Sequence, residues 1–339
     1  MSPIGVLGSK VRVAKDLIAL MPEEAYGECY LELFAGGAGV FFEKEGAKIN
    51  VINDLDPDIT VMYEAIQRDH RAVEAELRTL LDNDDLFENA KQLRESEAWY
   101  SLPEARRAAM LIYIYKESVN SNQSALSSSS HSRSSFNPRL ALEGFAKKLE
   151  RAQIRHFHWA KALDVYLYRS PSVDAMVFAD PPYVISDSQM HYRFNFHPIE
   201  HIRFWHRMTL LSKDNGPKRN VKILITYDDV PPIRSLYRKS DGWHITPLAI
   251  GYNSAHDPMR CRSEIAITNY EPPREAVVPK PLVVEADWSD VPADRITLGG
   301  KIPFSKMRCC DKERAAMLIK GVRKSECRVC GEKIKLPVV

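Results

Sequence analysis

The residues best equipped for chemistry stand together at Ala179-Asp180-Pro181-Pro182-Tyr183. The run ahead of them, Val173-Asp174-Ala175-Met176-Val177-Phe178, is apolar with a β-branched and aromatic tilt, which predicts a buried strand that ends at Asp180. Strand ends are where open α/β sheets bind ligands. Two consecutive prolines cannot continue a ladder, so they hold the backbone extended and leave carbonyl acceptors with no N–H on either ring. Asp180 adds carboxylate oxygens, Pro181 and Pro182 add the rigid carbonyls, and Tyr183 adds a flat face for a planar ring. Such a cluster suits an aromatic amine. Conjugation delocalises the lone pair of that amine, and hydrogen bonds from both its N–H groups to fixed acceptors favour the localised geometry that can attack an electrophile in line. Taken alone, the same pentapeptide also fits a plain strand end followed by a turn.

A second grouping lies near the N-terminus. Cys29-Tyr30-Leu31-Glu32-Leu33-Phe34 predicts a buried strand that runs into Ala35-Gly36-Gly37-Ala38-Gly39 and then a helix from Val40. Strand, glycine-rich turn and helix in succession let a backbone approach a nucleotide closely. The spacing is not the Gly-x-Gly-x-x-Gly of dinucleotide enzymes. A further strand, residues 48–53, ends at Asp54, about 20 residues past the glycine turn, where a carboxylate can accept from ribose hydroxyls. In that order the signals point to an adenosine-type cofactor. Lys10, after Gly8-Ser9, sits at a predicted helix start, where it can meet an anionic or polar ligand edge or simply face solvent.

These residues need a scaffold, and strands alternating with helices predict one. The expected architecture is α/β, a mostly parallel sheet with one antiparallel strand from an apparent hairpin of residues 244–250 and 264–268. Helices are expected from Pro57, from about Glu104 and from Pro198, and a third strand near residues 155–159. A chain of 339 residues, 45% hydrophobic, suffices for one large α/β domain with a small appendage. A leading signal pattern and an apolar run of about 18 residues are both lacking, so the reading is a soluble intracellular protein with no membrane contact. Four of the six cysteines fall in the last 31 residues, unlike a secreted disulfide framework.

Charge is distributed unevenly. Residues 41–100 hold 7 Lys/Arg against 15 Asp/Glu, residues 101–161 hold 10 against 4, and residues 301–339 hold 11 against 4. Basic blocks of this kind can meet a polyanion or form an ordinary solvated face. The stretch from Val119 to Arg139 is rich in serine and in groups that contact phosphates and base edges, among them Asn120, Arg133, Asn137 and Arg139. It is either a linker or a nucleic-acid loop. From residue 271 to about residue 300 proline, valine and acidic residues mark a linker, and residues 301–339 form a basic, cysteine-rich tail with Cys309-Cys310 and, sixteen residues on, Cys327-Arg328-Val329-Cys330. The second pair has zinc-knuckle spacing, whereas adjacent cysteines rarely share one ion.

With these residues assembled, the chain resembles the Dam-like, alpha-group DNA adenine-N6 methyltransferases, which use S-adenosylmethionine. The resemblance covers about residues 3–270. It rests on Gly8-Ser9-Lys10, Glu32-Leu33-Phe34-Ala35-Gly36-Gly37-Ala38, Asn53-Asp54, Phe136-Asn137-Pro138, Asp180-Pro181-Pro182-Tyr183 and Glu264-Ile265-Ala266-Ile267-Thr268-Asn269-Tyr270. It implies a Rossmann-like class I methyltransferase domain over residues 1–270 with a helical target-recognition insertion at about residues 85–160. It implies that Glu32, Phe34 and Gly36, with Ala35 and Gly37 in the same turn, line the methionine end of the cofactor, that Asp54 holds the ribose, and that Lys10 approaches cofactor or base. Asp180 and Pro181 would accept from the adenine amine, and Tyr183 would stack on a base flipped out of double-stranded DNA. A bacterial or phage-infected cytoplasm is the implied setting. The family's acidic residue after the third strand is unmarked: Lys161 falls near its place and Asp164 three residues on. The same fold also serves RNA adenine, cytosine-N4 and protein methyltransferases, and a catalytically silent DNA-binding protein could keep it. The tail generates the first prediction: metal analysis of the purified chain should find near-stoichiometric zinc, lost on replacing Cys327 and Cys330, and a metal-free preparation would remove the knuckle.

Overall fold

A parallel strand must be followed by a crossover, and the order of elements here supplies one after another. The computed structural model describes residues 2–4, 10–22, 28–80, 86–117, 142–168, 173–184, 194, 196–216, 219–248 and 264–273. The chain falls into two units, residues 1–170 with 174–178, and residues 171–173 with 179–339.

In the first unit a 3₁₀ turn, Lys10–Arg12, leads into α1 (Ala14–Ala19). Then come β1 (Cys29–Glu32), α2 (Gly39–Glu43), β2 (Ile49–Asn53), α3 (Pro57–Leu80), α4 (Leu86–Arg94), α5 (Glu104–Glu117), α6 (Leu142–Leu149), β3 (Ala152–Arg155), α7 (Trp159–Leu163) and β4 (Val173–Ala179). The strands lie in the order β3-β2-β1-β4. All three pairings are parallel, with Glu32 opposite both Ile52 and Phe178. β1 is buried along its whole length, as expected of a central parallel strand covered on both faces.

α3 runs further than its first apolar stripe suggests. Ile59, Met62, Tyr63 and Ile66 are buried, and so are Val73, Leu77 and Leu80 beyond a break at Asp69. The Asp69 carboxylate accepts from the N–H groups of Arg71 and Ala72, 3.1 Å each, so a side-chain cap restarts the helix where its backbone leaves the helical region. The third strand lies earlier than the expected 155–159. α6 stops at Leu149, the Gln67 amide donates to the carbonyls of Leu149 and Ala152, and the Asn53 side chain takes the backbone of Phe157 and ends the ladder.

The second unit carries α8 (Pro198–Lys213), β5 (Arg219–Asp228), α9 (Pro231–Leu236), β6 (His244–Leu248) and β7 (Glu264–Thr268). β7 lies between β5 and β6 and runs antiparallel to both. The mostly parallel α/β class with one reversed strand is therefore what the chain adopts. Proline opens α8 and α9, where its missing N–H costs nothing. His201 on α8 accepts or donates at Nδ1 to the Tyr227 hydroxyl, 2.8 Å away, and burial pushes its pKa down to about 3, so it is neutral. Among the described residues no helix is long and apolar enough to cross a membrane.

One buried ionic cluster joins the acidic turn after β2 to the helical segment after α3. The Arg94 guanidinium donates to Asp56 and Asp58 at 2.8 Å each, and the Trp99 indole N–H donates to the other oxygen of Asp58 at 2.7 Å. All four residues are buried. Removing the cation from such a cluster leaves two buried carboxylates without their counter-charge, at a cost of about 3–5 kcal/mol. Arg94→Met is expected to lower unfolding stability by that order in urea titrations followed by tryptophan fluorescence. A change under about 1 kcal/mol would show the carboxylates to be otherwise supported.

Candidate active site

The first unit concentrates acceptors at the tips of β1 and β2. Asn53, fully buried at the end of β2, donates to the carbonyls of Leu33 and Phe157, 3.0 Å each, and accepts from the Phe157 N–H. It stitches the ends of β1 and β3 to its own strand. Asp54 follows, and its two carboxylate oxygens accept from the Gly36 N–H at 2.7 Å and the Asp56 N–H at 2.8 Å. The glycine turn is thereby tied to the β2 tip across eighteen residues of sequence. The Tyr63 hydroxyl, from α3, donates to the Gly36 carbonyl at 2.7 Å, so both peptide groups flanking Gly36 are held.

Gly36 has φ +46°, a region that L side chains rarely adopt, and a Cβ placed there would meet nothing within 4 Å. The turn therefore leaves open space on the side of Gly36 where a side chain would project. Gly39 has a different reason to lack a side chain. A Cβ there would come within 2.8 Å of the Val11 backbone nitrogen, so glycine lets the Lys10–Arg12 turn lie against the start of α2. Lys10 is buried rather than solvated, which removes the ordinary surface lysine as an account of it.

Glu32 is also buried, and one of its oxygens accepts from the Tyr30 hydroxyl at 2.6 Å and from the Phe41 N–H at 3.0 Å. The second bond satisfies an N–H of the first turn of α2, whose capping residue Ala38 offers no side-chain acceptor. Glu32 thus anchors the helix behind the glycine turn. Phe34 and Gly36 are half-buried, whereas Ala35 and Gly37 are buried. Lys161 is exposed, its ammonium 4.3 Å from the Phe157 ring centre.

In the second unit Asp180 follows β4 directly, as the apolar run predicts. The Thr226 hydroxyl, on β5, donates to an Asp180 carboxylate oxygen at 2.6 Å. Pro181 is buried, and Pro182 and Tyr183 are half-buried. The Tyr183 hydroxyl donates to Glu264 on β7 at 2.6 Å, and the next N–H, of Val184, donates to Asp228 on β5 at 3.3 Å. Asp228 and Glu264 face each other in the β5–β7 register. The expected stretch from Asp180 to Tyr183 is therefore present as a fixed segment held by two neighbouring strands. Thr226, Asp228, Glu264, Asn53 and Tyr63 were not expected to hold it or the glycine turn. Only the inclusion of Asn53 and Glu264 in recurrent motifs hinted at two of them. Gly8, Ser9, Asn120, Arg133, Asn137, Arg139, Cys309, Cys310, Cys327 and Cys330 lie outside the described residues.

Comparison with known proteins decides the family. The family model of the D12 class N6 adenine-specific DNA methyltransferases matches residues 7–247. The chain belongs to this family. Among curated proteins it is similar to the DNA N-6-adenine-methyltransferase of Escherichia phage P1, 22% identical over 248 residues, which are 71% of this chain and 31% of that protein. The chain thus spans about a third of the length of the curated relative it matches. Among solved structures it is similar to the rRNA methyltransferase aviRa from Streptomyces viridochromogenes in two crystal structures, at 13% and 12% identity. Each covers 77% of this chain and 85% of that one with a TM-score of 0.32, too slight a likeness to argue from. Membership of the D12 class agrees with the resemblance carried by the glycine turn, Asn53-Asp54 and the segment from Asp180 to Tyr183.

Burial raises the Asp54 carboxyl to about 6, against the pull of the Asp56 and Gly36 N–H groups that favour its charged form. The ionised acid is the form that accepts from this turn and from a ligand, so it prevails above that pH and is lost below it. Affinity for S-adenosylmethionine, measured by calorimetry, is expected to fall as pH drops through about 6. Asp54→Asn should bind weakly and flatten that dependence. A pH-independent wild-type affinity would remove Asp54 from the cofactor site.

Proposed function

We propose that this chain transfers a methyl group from S-adenosylmethionine to the N6 amine of an adenine extruded from double-stranded DNA. What carries the reading is the Asp180 carboxylate, fixed by Thr226 at 2.6 Å and followed at once by two prolines and a ring whose hydroxyl is itself fixed. When bound, the cofactor supplies an electrophilic methyl group on a sulfonium, which leaves as a neutral thioether. Asp54 would accept from the ribose hydroxyls beside Gly36. Phe34, Gly36 and the rest of the turn from Ala35 to Gly37 would receive the methionine end, backed by Glu32, and Lys10 would approach the cofactor or the base.

An adenine inside a duplex cannot present its amine to any of these groups, so the base must leave the stack. Extrusion costs a few kcal/mol, and stacking on an aromatic side chain returns about 1–3 kcal/mol. Tyr183 therefore offsets much of the cost, and the acceptors at Asp180 and Pro181 add to it. Those two oxygens would take both N–H groups of the amine and localise its lone pair toward the methyl group, and the nitrogen would give up one N–H proton to solvent as the N–C bond forms and the thioether leaves. Their rigidity is what makes them useful, since acceptors already in place need no reorganisation as charge develops. The basic stretch of residues 101–161 would face the phosphates, with Asn120, Arg133, Asn137 and Arg139 as its candidate contacts. Its serine-rich part lies outside the described residues.

Asp180→Ala is expected to lower transfer to unmethylated plasmid DNA by at least about a hundredfold while leaving S-adenosylmethionine affinity nearly unchanged. Nucleoside digestion of the wild-type product should release N6-methyladenine. N4-methylcytosine, or methyl label in RNA only, would replace the substrate. Full activity in Asp180→Ala would end the catalytic assignment.

A further inference from the structure

We infer that Glu264 is a positioning residue for the reaction, because from β7 it holds the phenolic oxygen of Tyr183 and so fixes the ring on which the extruded base stacks. The inference rests on the function proposed above and adds to it a residue that meets neither cofactor nor base.

The geometry is specific. The Tyr183 hydroxyl donates to Glu264 Oε2 at 2.6 Å, within the range of charge-assisted O–H···O bonds. Glu264 is 2% exposed and opens β7, a strand paired on both sides, with Asp228 opposite it on β5 and Leu248 opposite it on β6. Its backbone therefore has little freedom. Tyr183 itself is half-buried and lies in the segment after Asp180 that belongs to no helix or strand. The Tyr227 ring is 6.0 Å away and tilted by 40°. The anchored hydroxyl constrains the Tyr183 ring more directly. It fixes where the long axis of the ring points, and the preference of a phenolic O–H for the ring plane transmits the acceptor direction to the plane.

The second strand supports the same segment. Asp228, facing Glu264, accepts from the Val184 N–H at 3.3 Å, so the ring is held at its tip and the backbone one residue on is held at its base. Burying a carboxylate is costly, and an apolar residue would fill the start of β7 more cheaply. In the run Glu264-Ile265-Ala266-Ile267-Thr268 all five residues are buried, and Glu264 is the charged member. The bond to Tyr183 is a use for a carboxylate there that an apolar residue could not serve. It also gives a reason for tyrosine over phenylalanine at a position whose face, and not its hydroxyl, would meet the base.

The test uses the full chain, S-adenosylmethionine and plasmid DNA from a host without adenine methylation. Glu264→Leu and Tyr183→Phe are each expected to reduce kcat/KM for DNA by about tenfold, the order of one lost hydrogen bond to a charged group. Affinity for S-adenosylmethionine should not change. Because both variants delete the same bond, the double variant should be no worse than either alone. Glu264→Gln, which keeps an acceptor in place, should recover most of the loss. Once methylated positions have been mapped, a duplex with 2-aminopurine at the target adenine gives an independent signal: the extruded base should be less quenched in Tyr183→Phe than in wild type. Multiplying losses in the double variant, a Gln variant no better than Leu, or unchanged quenching would each overturn the inference while leaving Asp180 as assigned. Should Glu264→Leu fail to fold, Tyr183→Phe and Glu264→Gln decide alone. Absence of DNA methylation by the wild-type chain would overturn the proposed function and this inference together.

Discussion

Backbone groups at the end of a buried strand have lost both water and ladder, and they must find partners among side chains. That constraint governs both units. In the first, Asn53 satisfies Leu33 and Phe157, Asp54 satisfies Gly36 and Asp56, and Glu32, the last residue of β1, satisfies the first turn of α2 at Phe41. In the second, Asp228 takes the N–H of Val184. Acceptors recruited to close the strand ends are also the groups that, in the proposed function, a ligand would meet there.

A consequence is an unusual density of negative charge in a short stretch. Asp54, Asp56 and Asp58 alternate along the chain, and each of the first two caps the N–H two residues on. The device fixes the entry to α3 but leaves three carboxylates close together. Arg94 and Trp99 answer it by reaching Asp56 and Asp58 from the following helical segment. Asp54 receives backbone N–H groups instead, and its raised pKa reflects the burial that remains. Rigidity bought in this way suits a site that must hold a ligand in one orientation.

Much of the architecture is legible in the chain because the signals are local. The apolar run before Asp180 ends where β4 ends, and Glu264–Thr268 is a strand as expected of that stretch. Where expectation and structure part, a distant contact is responsible. The stripe of α3 fades after Ile66, yet the helix continues to Leu80 because Asp69 recaps it and α5 and α6 pack along it. The third strand sits at Ala152–Arg155 because Gln67 and Asn53 hold its two ends. The Asp69 cap is local, but no window of neighbouring residues contains the packing of α5 and α6 on α3 or the reach of Gln67 and Asn53.

The site divides along the same line. Residue types and spacing alone determine the glycine turn, Asp54 after β2 and the rigid acceptors from Asp180 to Pro182, since a proline restricts its own φ and a strand end needs only its own sequence. Tertiary structure alone decides what aims them. Thr226 meets Asp180 across 46 residues, Glu264 meets Tyr183 across 81, and Arg94 meets Asp58 across 36. Hydrogen bonds depend on distances of a few tenths of an ångström. Only the register of packed strands and helices sets distances that fine between residues so far apart in the chain.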